Sequence, residues 1–114
     1  MKPENNLDYL AAKHAQSAVD AGVEENLITK TLGVLQEQGV YACFLYLHAR
    51  EKDNAPKVME AMRALLKALG IESNESDVLK YAADLTQELP RLLLAREALE
   101  QMLIYARYDA KARS

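Results

Sequence analysis

The sequence predicts an all-α protein: one compact bundle of about six helices, residues 1–114, around a central apolar helix. Three observations predict it. Helix formers dominate, while glycine (4) and proline (3) are scarce, so little of the chain is suited to turns. Apolar residues recur at steps of three and four along most of the chain, and no segment alternates as a half-buried strand would. Finally, Val40–Leu47 carries no charge and holds the only Phe and the only Cys, so the other helices are expected to enclose it.

The first helix is expected from about Leu7 to Ala21, with Leu7, Leu10, Ala11, His14, Ala18 and Ala21 on one face and Gly22 ending it. His14 reads as a packed core residue. A second helix, about Glu24–Gln38, points Leu27, Ile28, Thr31, Leu32 and Leu35 inward, with Glu24 and Glu25 at its positive end. Gly33 inside it implies close packing or a break, since glycine costs about 1 kcal/mol there relative to alanine. Gly39 separates this helix from the apolar one. A helix-turn-helix centred on Thr29–Val34 is excluded, because its groove-reading helix would be Val40–Leu47.

Asp53 or Asn54 can cap a fourth helix, with Pro56 tolerated in its first turn. Val58, Met59, Met62, Leu65, Leu66 and Leu69 form its stripe, and Gly70 stops it. Ile71–Glu75 reads as a loop, and Ser76 as the cap of a short fifth helix burying Leu79, Ala82, Ala83 and Thr86. Pro90 marks a restart, because the residue before a proline is pushed out of helical geometry. The last helix, about Pro90–Lys111, buries Leu92, Ala95, Leu99, Met102 and Ala106. Beside that face run Arg96, Arg107 and Lys111, within about 60° of arc, with Glu100 among them. Leu93 and Ile104 lie on the outer side of this row and mark a candidate subunit interface.

The net charge of −3 gives no overall pull toward nucleic acid, but it is unevenly spread. Residues 71–90 carry a net −4 and residues 91–114 a net +2, and such local fields decide where a phosphate can sit. One cysteine makes no internal disulfide, and no apolar run approaches membrane-spanning length. A cytoplasmic protein without membrane contact is expected. No catalytic constellation assembles: Cys43 and His48 would lie about 140° apart on a helix. Neither metal-ligand spacing nor a glycine-rich phosphate loop occurs, so a non-enzyme without cofactors is expected.

Two segments together resemble a known family. Leu32–Leu47, with Leu32-Gly33, then Gln38-Gly39-Val40 and an apolar helix containing Phe44, resembles a segment of the small subunit of the Cmr complex, the type III-B CRISPR RNA-silencing effector. Glu97-Ala98-Leu99, followed by the apolar stretch to Arg107 and Tyr108, is similar to that family's C-terminal signature. Leu7–Val19, with Lys13 near its centre, fits its alanine-rich first helix. The sequence departs from the family pattern at Gly33 (proline), Gln38 (asparagine), Val40 (leucine), Ile104 (tryptophan) and Ala106 (a basic residue). The related type III-A (Csm) small subunit would look much the same.

The resemblance implies a non-catalytic helical subunit that stacks with copies of itself beside other CRISPR effector subunits. Together they would hold target RNA along the guide–target duplex. By placement, Arg107 is the first candidate for a phosphate contact, followed by Lys13, Arg50, Lys52, Arg96 and Lys111. The alternative is a protein-only helical adaptor, an immunity or regulatory protein, which the net charge favours.

Overall fold

The computed structural model describes residues 6–50, 54–71 and 76–113. Among them are six α-helices: α1 (Leu7–Asp20), α2 (Glu25–Gln38), α3 (Val40–Ala49), α4 (Ala55–Ala68), α5 (Val78–Leu85) and α6 (Leu89–Arg113). The envelope is 39 × 37 × 24 Å, and a 24 Å thickness is about two helix diameters. Helix α6 packs chiefly along α1 and α2, while α3 lies against α2, α4 and α5. Among the described residues, no helix is long and apolar enough to cross a membrane.

Helix ends follow local chemistry. The Asn6 side chain caps α1 by accepting from the amides of Asp8 and Tyr9. Gly22 and Gly70 close α1 and α4 at positive φ, and the next residues turn back: Val23 N–H donates to Ala18 O and Ile71 N–H to Leu66 O. Both Val23 and Ile71 are buried, the apolar contact that accompanies such caps. Gly39, at φ 97°, ends α2 and begins α3 with no loop between.

Several expectations are corrected. Asp77, and not Ser76, caps α5: its carboxylate accepts from Leu79 N at 2.9 Å and Lys80 N at 3.4 Å. Those backbone bonds hold its carboxyl below the usual range. The buried face of α5 is Tyr81, Ala82 and Leu85, while Ala83 and Thr86 are exposed. Burying the larger side chains removes more apolar area from water, and Tyr81 meets Phe44 edge-on with ring centroids 5.9 Å apart. Asn54 begins α4, but its amide donates to Gly22 O instead of capping; Asp53 lies outside the described residues. Gly33 neither breaks α2 nor meets a close neighbour, since a Cβ there has nothing within 4 Å. Helix α3 buries Val40, Cys43, Phe44 and Leu47, yet Leu45 is 46% exposed, so one edge of the apolar helix reaches solvent.

Candidate nucleic-acid interface

The inward face of α6 is built from Ala95, Ala98, Leu99, Met102, Leu103 and Ala106. Its small side chains let α1 and α2 approach, and the helical period then turns Arg96, Arg107 and Lys111 away from the core. All three therefore lie outside the core on one helix, as the spacing predicts, but their surroundings differ.

Arg96 is exposed and reaches across to α2, where its guanidinium donates to Gln36 O at 3.0 Å. That carbonyl belongs to the last turn of α2, where carbonyls lack partners within the helix. Arg96 thus braces the C-terminus of α2. Arg107 is half-buried, with its guanidinium 5.8 Å from the ring centroid of Tyr108. Among the described residues no carboxylate pairs with it. Lys111 is exposed one turn further on. Arg113, beyond the predicted row, is held by Asp20 and Asp109, which raise its pKa further, and so ties the ends of α1 and α6 together.

The other candidates are dispersed. Lys13 is exposed on the outer side of α1, opposite the buried Leu10, Ala11, Ala15 and Ala18. Arg50 is half-buried just past α3, its guanidinium 5.5 Å from the Tyr46 ring centroid. Lys52 lies outside the described residues. Of the proposed interface pair, Leu93 is 56% exposed, whereas Ile104 is half-buried against the core.

The cleft between α1 and α6 is acidic. It holds about 260 Å³ and is lined by Asp8 and Asp109 with Ala12, Ala15, Gln16 and Tyr105. The Tyr105 hydroxyl donates to Asp8, a bond that raises the phenol pKa. Both carboxylates of this lining are engaged within the protein, Asp8 by the Tyr105 hydroxyl and Asp109 by Arg113. The thiol of Cys43 is buried, donates weakly to Thr31 O at 3.8 Å, and is pushed up to about 12 by burial. That holds it protonated and unreactive at neutral pH. His14 is half-buried, and desolvation, then the charge of Lys13, lowers its pKa.

Three exposed residues on α6, Leu89, Leu94 and Tyr108, were not among the site candidates read from the sequence. Leu89, 63% exposed, precedes Leu93 by one turn and widens its apolar patch together with Leu94. Tyr108, also 63% exposed, stands beside Arg107. Spacing from Leu93 was a signal for Leu89, and adjacency to Arg107 for Tyr108. Compared with family models, curated proteins and solved structures, the chain matches none.

Proposed function

We propose that this chain is a non-catalytic RNA-binding subunit of a type III CRISPR effector, of the Cmr small-subunit type. It stacks with copies of itself and other effector subunits and holds the backbone of target RNA. The motif resemblance motivates the family. The observation that carries the RNA face is the contrast among the bases of α6: Arg96 and Arg113 are engaged within the protein, while Arg107 meets no carboxylate and stands one turn from Lys111. A guanidinium so presented, with an exposed lysine one turn on, suits phosphate oxygens, and contacts of that kind position RNA without reading its sequence. Leu89, Leu93 and Leu94 then form the surface for a neighbouring subunit.

The test is the salt dependence of RNA binding by Arg107→Ala/Lys111→Ala. Each lost phosphate contact should flatten the log-log salt slope by about 0.7 for single strands, so the double variant should lose roughly one to two units. The loss should be equal for unrelated RNA sequences. A double variant that folds and keeps the wild-type affinity and slope removes this face from RNA binding. The protein-only adaptor is the second reading, favoured by the exposed leucines and the net charge of −3. That result would strengthen it.

A further inference from the structure

Tyr108 has a setting unlike that of the other tyrosines on the α5–α6 side of the molecule. Tyr81 is buried against Phe44 and donates its hydroxyl to Ile71 O at 3.3 Å. Tyr105 is half-buried and donates to Asp8. Tyr108 is 63% exposed, and among the described residues no hydrogen bond holds its hydroxyl. Its one ring contact is the Arg107 guanidinium, 5.8 Å from the centroid. A large aromatic surface is thus left in water beside a cation that meets no carboxylate. Lys111 stands one turn, about 6 Å, further along the helix. The ring of Tyr108 packs into no part of the core, so its face is open to a planar ligand.

We infer that Tyr108 is a stacking platform for a nucleobase of single-stranded RNA, with Arg107 and Lys111 on the flanking phosphates. The inference rests on the RNA-binding reading above and adds a contact of a different kind. An aromatic face takes any base, because every base has a π-face, so stacking adds affinity while keeping binding tolerant of sequence. The neighbouring guanidinium has two roles: it is attracted to the ring face, and it can pair with a phosphate. The occupant is therefore an unpaired nucleotide, and a paired duplex, whose bases are already stacked on one another, gains nothing from Tyr108.

The chain contains no tryptophan, so Tyr108→Trp places a single indole reporter at this position. This 114-residue variant is titrated with a fluorescein-labelled 12-nucleotide oligouridylate, following anisotropy of the label and indole emission together. A 12-base-pair RNA duplex and inorganic polyphosphate serve as comparisons. We expect single-stranded RNA to quench the indole along the same isotherm as the anisotropy. Duplex and polyphosphate should displace the labelled RNA and restore the emission. Tyr108→Ala should weaken single-strand binding by about fivefold to a hundredfold, the range of one base–aromatic stack, while Tyr108→Phe stays near wild type. If the labelled RNA binds but emission does not change, and Tyr108→Ala binds within twofold of wild type, the platform is wrong while RNA binding stands. If anisotropy does not rise at any chain concentration up to several hundred micromolar, the RNA reading itself fails and this inference falls with it.

Discussion

Replacing Arg96 by alanine separates the two kinds of base on α6. Its guanidinium donates to Gln36 O at 3.0 Å, in the last turn of α2, where the helix dipole also favours a cation. A hydrogen bond to a charged group contributes about 1.5–3 kcal/mol when buried, and the dipole interaction about 0.3–1 kcal/mol. Arg96 is exposed, so water competes for the same carbonyl and the net loss should be nearer 1 kcal/mol. For a domain of this size that lowers Tm by about 4 °C. The RNA salt slope should move by less than about 0.3, well under one phosphate contact. Arg107→Ala should do the reverse. Its exposed cation–π contact is worth about 0.5 kcal/mol, so Tm should fall by no more than about 2 °C, while the slope flattens by about 0.7. Circular-dichroism melts and anisotropy titrations at four salt concentrations measure both. If Arg96→Ala leaves Tm unchanged and flattens the slope as Arg107→Ala does, the division of labour argued for α6 is wrong.

Three further outcomes are expected. Phe44→Ala should cost about 3–5 kcal/mol in urea unfolding, and Leu45→Ala, one residue on and 46% exposed, about 1 kcal/mol or less; equal costs would mean that α3 is rotated from its placement. Gly33→Ala should stabilise by about 0.5–1 kcal/mol, since its Cβ has nothing within 4 Å; destabilisation in the same unfolding assay would contradict the open space around it. Because the folded pKa of His14 lies below its unfolded value of about 6.5, the folded state binds fewer protons there. Its contribution to stability is thus complete above pH 6.5 and is lost as pH falls through the folded pKa. His14→Gln should flatten that acid limb in a pH series of melts, and an unchanged limb would assign it to other groups.

Most of the helices were legible because their buried faces recur at the helical period, while α3 was legible as an uncharged run. The inward row of α2 and most of that of α4 read directly from the sequence. What the pattern could not carry was any choice between chemically equivalent neighbours. Ser76 and Asp77 are both sound caps, and only the extended backbone of Asp77 decides between them. On α5, a row through Leu79, Ala82 and Thr86 and one through Tyr81, Ala82 and Leu85 both fit the period; the meeting of Tyr81 with Phe44, far apart in sequence, selects the second. The candidate site was legible to the same depth. Periodicity placed Arg96, Arg107 and Lys111 on one side of α6, but Gln36, which engages Arg96, is 60 residues away and follows from no local pattern. The Arg113–Asp20 bridge is of the same long-range kind.

The distribution of side chains along α6 bears on both readings of this protein. Over 25 residues, about 37 Å, its inward face is rich in alanine, while three leucines near its N-terminal end face outward. Leu99, Met102 and Leu103 complete that inward face, so the outward leucines are additional to those the core uses. Small residues inward bring α1 and α2 close, and this fixes the angle at which α6 presents its outer surface. Along that surface the chemistry changes from the apolar Leu89, Leu93 and Leu94 to the cationic and aromatic Arg107, Tyr108 and Lys111. An apolar patch suits a protein neighbour, and a cation beside an aromatic ring suits a nucleotide. A subunit that stacks on proteins while holding RNA requires both surfaces in fixed relation, and one continuous helix supplies that relation. An adaptor requires only the first, which is why the Arg107–Tyr108–Lys111 end of α6 is where the two readings part.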